Sequence, residues 1–90
     1  MPSLHLLIKG RVQGVFYRAS AKDVAIEMGI TGWIKNTMEG DVEALITGQQ
    51  NQLDQFVAWC KKGPRRANVS AVILSACEEK SFNDFTIVRD

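Results

Sequence analysis

The chain opens with a strand pattern that passes through a short glycine-containing loop into a helical pattern. Leu4, Leu6 and Ile8 share one face of an extended chain, which predicts a half-buried strand over Leu4–Lys9. After the loop, apolar residues recur at helical spacing, and a glycine follows that commonly ends a helix in the left-handed conformation. This stripe and its end comprise Ala21, Val24, Ala25, Met28 and Gly29. A strand that feeds a helix in this way predicts a sheet covered by a layer of helices.

Two further strand patterns flank a short loop in the next segment. Thr31–Asn36 is predicted as the second strand and Asp41–Thr47 as the third. Gly40 lies between them and is free to adopt a positive φ, so the segment predicts a β-hairpin.

The rest of the chain predicts a second helix and two strands. Asn51 is a suitable N-cap for this helix, and Gly63-Pro64 marks its end. Ala67–Ala76 is rich in β-branched residues, and Phe85–Val88 is a short closing strand. The apolar stripe of the helix comprises Leu53, Phe56, Val57 and Cys60.

The order of these elements predicts the fold class. Ninety residues make one domain, spanning 1–90, and the order is β-α-β-β-α-β with one extra strand at the end. This is the α+β, ferredoxin-like βαββαβ sandwich. We expect an antiparallel sheet of four strands plus a short C-terminal strand, with two helices on one face.

Composition restricts the partners of the chain. Its 11 lysine and arginine residues and 10 aspartate and glutamate residues give a net charge of +1, which argues against general affinity for nucleic acid or membranes. Cys60 and Cys77 are too few for a disulfide framework, and with a single histidine they argue against a structural zinc site. Residues 1–8 lack the basic leader of a signal peptide, so a cytoplasmic location is predicted. Nothing in the sequence demands more than a monomer, which is the predicted oligomeric state.

The segment Gly10–Arg18, with the sequence GRVQGVFYR, has the parts of a phosphate site. A loop between a strand and a helix start collects backbone N–H groups that bind one anion, and Arg18 adds a fork of donors matched to phosphate oxygens. Neither the Walker pattern nor the dinucleotide-binding glycine pattern is present. The alternative is a surface loop with a solvated arginine, although a cation at a helix start opposes the helix dipole unless an anion is bound there.

With a second motif, this loop resembles the acylphosphatase family. The matching residues are Gly10–Arg18, then Gly32–Thr37 with the sequence GWIKNT, followed by Gly40–Glu43. The resemblance spans almost the whole chain without large gaps, and it implies an enzyme that hydrolyses acyl phosphates without a metal or other cofactor.

The resemblance also implies the roles of individual residues. Arg18 would bind the phosphate, and Asn36 would orient the attacking water. Tyr17 stands where the family often has phenylalanine, so its hydroxyl requires a partner. The implied catalytic residues are Arg18 and Asn36, and the implied phosphate-binding residues are Gln13, Gly14, Val15, Phe16, Tyr17 and Arg18. The implied partners are a small acyl phosphate substrate and inorganic phosphate as product or inhibitor.

Two alternatives stay open at this point. Asn36 by itself is also typical of a turn residue that caps a hairpin. The whole chain is also consistent with a non-catalytic phosphate- or acyl-phosphate-binding regulatory module on the same fold. An RNA-binding module is disfavoured because the first strand lacks paired aromatic residues, and the basic cluster Lys61–Arg66 is interpreted as a solvated helix end.

Overall fold

The computed structural model describes residues 1–89, which form five strands and two helices in the predicted order. The elements are β1 (Ser3–Arg11), α1 (Tyr17–Met28), β2 (Thr31–Asn36), β3 (Val42–Thr47), α2 (Gln50–Lys62), β4 (Asn68–Ala76) and β5 (Phe85–Val88). The ferredoxin-like α+β class is therefore confirmed. Helix α1 ends at Gly29 in the left-handed conformation, with φ of 76°, as its sequence predicts.

The five strands make one sheet in the order β4-β1-β3-β2-β5. Strand β3 pairs antiparallel with both β1 and β2, so β1 and β2 run in the same direction. Strand β4 pairs antiparallel with β1, whereas β5 pairs parallel with β2. Strands β1 to β4 thus pair antiparallel as predicted, and the short C-terminal strand departs from the predicted antiparallel sheet by pairing in parallel, which makes the sheet mixed.

The segment 77–84 explains the parallel pair. It carries the chain from β4 at one edge of the sheet to β5 at the opposite edge, across the end where β1 and β2 begin. Hydroxyl groups hold it there: Thr47 Oγ1 donates to Lys80 O at 2.8 Å, and Lys80 N donates to Ser3 Oγ at 2.9 Å. Because β5 starts at the end where β2 starts, the two strands run side by side in one direction.

Both helices cover the same face of the sheet and enclose one core. Strands β1, β2 and β3 supply apolar side chains to this core, and each helix supplies its predicted stripe. The fully buried members include Leu6, Ile8, Ile34, Ala44, Ile46, Ala21, Ala25, Leu53, Phe56 and Cys60. None of the helices in the described part of the chain is long and apolar enough to cross a membrane.

The start of α2 differs from the prediction. Its N-cap is Gln49 rather than Asn51, which lies exposed in the first turn. Gln49 and Gln52 form a reciprocal capping box, in which Gln49 N donates to Gln52 Oε1 at 2.9 Å. The Gln52 amide also donates to Met28 O at 2.8 Å and so joins the start of α2 to the end of α1. Two bonds from one glutamine therefore set the start of the helix two residues earlier than expected.

Candidate active site

The loop between β1 and α1 is anchored at both ends and curved in the middle. The register of β1 against β4 shifts between Lys9 and Gly10, and Gly10 has a φ of 122° at a point where a Cβ atom would collide with the Asn68 carbonyl. Val12 and Val15 are buried and fix the loop to the core. Between these anchors the backbone turns through positive φ, which is the conformation from which anion-binding concavities are built.

Two positive-φ residues shape the centre of this loop. Gly14 has a φ of 74°, and Phe16 has a φ of 63°, the one positive φ among the non-glycine residues of the described chain. A left-handed conformation costs a residue with a Cβ roughly 1 kcal/mol or more, and such strain is found at functional sites. Phe16 is also the residue at which α1 is entered.

Within residues 1–89, the backbone N–H groups of Gly14 through Ala19 have no acceptors. The first bond of α1 runs from Ser20 N to Phe16 O at 3.1 Å. Among the hydrogen bonds of residues 1–89, none is donated by the backbone of Gly14 through Ala19. Unpaired N–H groups at a helix start carry partial positive charge and bind anions.

Arg18 and Asn36 line the same pocket, which has a volume of about 280 Å³. Because β1 and β2 are parallel, the loop that follows β1 and the last residue of β2 lie at one edge of the sheet. Arg18 is half-buried in the first turn of α1, and none of the ion pairs within residues 1–89 includes it. The loop residues Gly14, Phe16 and Tyr17 complete this side of the pocket.

Asn36 has a buried side-chain oxygen with no hydrogen-bond partner in the described part of the chain. Its Oδ1 atom accepts no hydrogen bond from any group in residues 1–89. The neighbouring turn is closed by Thr37, whose N–H donates to Asp41 O at 2.9 Å and whose Oγ1 accepts from Asp41 N at 3.1 Å. The side chain of Asn36 therefore does not cap the hairpin. A buried acceptor without a partner costs about 1–3 kcal/mol, so its retention requires another explanation.

Gln13 and Val15 lie outside the lining of the pocket. The side-chain amide of Gln13 donates to Thr37 O at 2.9 Å and to Asp41 O at 2.8 Å. These two bonds tie the loop between β1 and α1 to the β2–β3 turn, directly after Asn36. Gln13 thus links the two halves of the site through its side chain.

Tyr17 is buried beneath the pocket, and its hydroxyl has a partner. The Tyr17 hydroxyl donates to the Cys60 carbonyl oxygen at 2.7 Å, and its ring lies 5.5 Å from that of Trp59. Burial raises the pKa of the Tyr17 hydroxyl above its ordinary value of 10.0 and raises the pKa of the Cys60 thiol to about 12. Tyr17 thus fixes the start of α1 against the end of α2.

Four further residues line the pocket that the sequence prediction did not include. They are Val12, Ala19, Ile87 and Arg89. Val12 and Ala19 adjoin the predicted loop, so a broader window would have included them. Ile87 and Arg89 reach the pocket only because β5 runs parallel to β2, and the antiparallel sheet that was predicted did not place them there.

Comparisons with known proteins agree with this architecture. The family model described as Acylphosphatase matches residues 4–87. An acylphosphatase from Methylococcus capsulatus is 41% identical over 91 residues, which cover 100% of this chain and 99% of that protein. The crystal structure of an acylphosphatase from Bacillus subtilis has a TM-score of 0.94 at 31% identity and covers 99% of this chain and 100% of that one. An acylphosphatase from Coxiella burnetii has a TM-score of 0.93 at 34% identity, covering 97% of this chain and 92% of that one. The chain therefore belongs to the acylphosphatase family.

Proposed function

We propose that this acylphosphatase hydrolyses the carboxyl–phosphate anhydride of acyl phosphates in the pocket between Arg18 and Asn36. The observation that carries the proposal is that one pocket holds a half-buried arginine at a helix start and an asparagine with an unpartnered buried acceptor. The first group suits the phosphoryl group of the substrate, and the second suits a water molecule. The products are a carboxylate and inorganic phosphate.

The loop and Arg18 are matched to the phosphoryl group. The N–H groups of Gly14 through Ala19 have no acceptors of their own, and the Arg18 guanidinium has no carboxylate partner within residues 1–89. Phosphoryl transfer spreads charge over three equatorial oxygens, so its catalysis consists mainly of positioning and charge stabilisation. Fixed hydrogen-bond donors in a pocket supply that stabilisation. Removing one such donor typically raises the activation free energy by about 3–4 kcal/mol.

The leaving group explains why the pocket is sufficient without an acid. A carboxylate is the conjugate base of an acid whose pKa is about 4, so it departs without being protonated. Among residues 1–89, those that line the pocket include arginines, an asparagine and apolar side chains, and no histidine, aspartate or glutamate.

Asn36 is assigned to the attacking water. A neutral amide oxygen accepts a hydrogen bond from water and so orients the water with a lone pair of the water oxygen towards phosphorus. As the water oxygen bonds to phosphorus, the bond to the bridging oxygen breaks and its electron pair stays with the carboxylate. The water proton passes to a phosphoryl oxygen, which yields inorganic phosphate.

We also propose that residues 1–90 form one domain that acts as a monomer. All the groups assigned to phosphate and water come from a single chain. Cys60 and Cys77 are free thiols, which fits a reducing compartment such as the cytoplasm.

The first test measures hydrolysis of benzoyl phosphate in the presence of a chelator, with Arg18→Ala and Asn36→Ala as variants. We expect the wild type to turn over at the same rate with and without chelator. Asn36→Ala should lose about 100-fold or more in kcat and keep its affinity for inorganic phosphate, because it acts on the water. Arg18→Ala should lose both turnover and phosphate affinity.

Matched controls come from the surface. Asn51→Ala and Arg66→Ala remove the same side chains at exposed positions outside the pocket and should leave both readouts unchanged. Equal losses of phosphate affinity in Asn36→Ala and Arg18→Ala would contradict the division of roles. A folded wild type that binds phosphate without turnover would instead identify a regulatory binding module.

A further inference from the structure

A second arginine lies in the pocket beside Asn36. The parallel register pairs Ile34 with Ile87 and Lys35 with Val88, so one step further along both strands brings Arg89 next to Asn36. Ile34 and Ile87 both face the core. Side chains alternate along a strand, so Asn36 and Arg89 follow on that same face, and both line the pocket.

Two arginines therefore line the pocket. Among residues 1–89, its lining includes Arg18 and Arg89 and no aspartate or glutamate. None of the ion pairs within the described residues involves either arginine. The neighbouring lysines differ, because Lys9 pairs with Asp41 at 2.8 Å and Lys35 lies 3.7 Å from Glu43. Two cations in one pocket repel each other, and an anion bound between them offsets that repulsion. A phosphoryl group carries a charge of about −2, so it is suited to this position.

We infer that Arg89 is a second phosphoryl-binding residue of this enzyme. This inference rests on the proposed function, in which Asn36 orients the attacking water. In an in-line displacement, the attacking oxygen and the leaving oxygen lie on opposite sides of phosphorus. Because Arg89 neighbours Asn36, it lies on the side of the water, away from the acyl group. From that side its guanidinium reaches the non-bridging phosphoryl oxygens.

This position predicts which constants Arg89 controls. Arg89→Gln removes the charge and keeps a polar side chain. We expect the KM for benzoyl phosphate and the inhibition constant of inorganic phosphate to rise together by about 10-fold, the size expected of one charge-assisted hydrogen bond. The KM for succinyl phosphate, whose acyl group carries a free carboxylate, should rise by the same factor. Arg89→Lys should recover part of the loss, since it restores the charge without the planar fork.

Arg66→Gln is the matched control, because it removes the same charge from an exposed position outside the pocket. It should change both constants less than 2-fold at about 0.15 M salt, where distant surface charges are screened. A loss confined to succinyl phosphate would show that Arg89 contacts the acyl group, and the inference would be wrong. Constants equal to those of the control would also overturn it.

Calorimetric titration with inorganic phosphate separates this inference from the proposed function. If the wild type binds phosphate but does not hydrolyse benzoyl phosphate, the catalytic proposal fails. The comparison of Arg89→Gln with Arg66→Gln in the same titration still decides whether Arg89 binds phosphate. A 10-fold weaker affinity in Arg89→Gln alone would support it, and equal affinities would refute it.

Discussion

At the scale of single residues, the polar groups of the site divide into two sets. The Tyr17 hydroxyl and the Gln13 amide have good intramolecular partners, at 2.7 Å and at 2.8–2.9 Å. The Asn36 acceptor and the N–H groups of the loop have none within residues 1–89. Folded proteins pair nearly all of their buried polar groups, and the unpaired set is the one that the proposed function assigns to substrate and water. The paired set fixes the geometry around them.

Tyr17→Phe tests this division at one hydroxyl group. Removing the hydroxyl leaves the buried Cys60 carbonyl without this donor, and we expect the free energy of unfolding to fall by about 1 kcal/mol. The turnover of benzoyl phosphate should change less than 2-fold, because the hydroxyl points away from the pocket and into the junction of α1 with α2. Urea denaturation and steady-state kinetics measure the two effects. A folded variant that loses more than 10-fold in kcat would place the hydroxyl in the catalytic machinery.

At the scale of elements, the site depends on how the ends of three strands are held together. The loop after β1 supplies Arg18, the end of β2 supplies Asn36, and the segment after β5 supplies Arg89. Gln13 is the direct link between the first two, since its amide donates to two carbonyl oxygens of the β2–β3 turn, those of Thr37 and Asp41. This link therefore fixes the position of the loop relative to Asn36.

Gln13→Glu should break the link with little change of shape. The carboxylate presents acceptors to the carbonyl oxygens of Thr37 and Asp41, so repulsion replaces two hydrogen bonds. We expect a loss of about 2–3 kcal/mol in the free energy of unfolding at pH 7 and a lower kcat. Gln13→Met removes the bonds without adding a charge and should lose less in both. If Gln13→Glu had the same free energy of unfolding and the same kcat as the wild type, other contacts would hold the loop after β1 to the β2–β3 turn.

Local patterns predicted the elements and singled out Arg18 and Asn36, which line one pocket, but they did not single out Ile87 and Arg89 on its third side. The stripe of α1, Gly29 at its end and the strand ending at Asn36 are all encoded by neighbouring residues. The direction of β5 is decided by Ser3 and Thr47, which bond to the backbone of Lys80. Hydroxyl groups that act 33 and 77 residues away leave no local signature. For that reason the sheet was predicted as antiparallel and Arg89 was missed.

At the scale of the whole molecule, the site rests on a junction of α1, α2 and the sheet. Tyr17, at the start of α1, contacts the end of α2 through the Cys60 carbonyl and the Trp59 ring. Phe56 extends this aromatic contact to Phe85 of β5, at a centroid distance of 6.1 Å. Two acidic groups, the Tyr17 phenol and the Cys60 thiol, are thereby buried in their neutral forms. The free energy of unfolding should therefore fall at alkaline pH.

The sign of that dependence follows from the raised pKa values. In the unfolded chain the Cys60 thiol loses its proton near its ordinary pKa of 9.0, whereas in the folded protein burial raises the pKa to about 12. Its contribution to stability is therefore complete below pH 9 and is lost as the pH rises from 9 to 12. The slope approaches ~1.4 kcal/mol per pH unit for one such group. The Tyr17 hydroxyl, whose pKa burial also raises, adds a second loss above pH 10.

Urea denaturation between pH 8 and pH 10.5, followed by tryptophan fluorescence, measures this loss. Cys60→Ala should be less stable than wild type at pH 8, because a fully buried side chain is truncated, yet its stability should fall less steeply above pH 9. Cys77→Ala keeps the buried thiol and should retain the wild-type slope, which makes it the matched control. The wild-type and Cys60→Ala curves should therefore converge as the pH rises. Parallel curves would show that the alkaline loss arises elsewhere, and that the junction beneath the loop between β1 and α1 tolerates a thiolate.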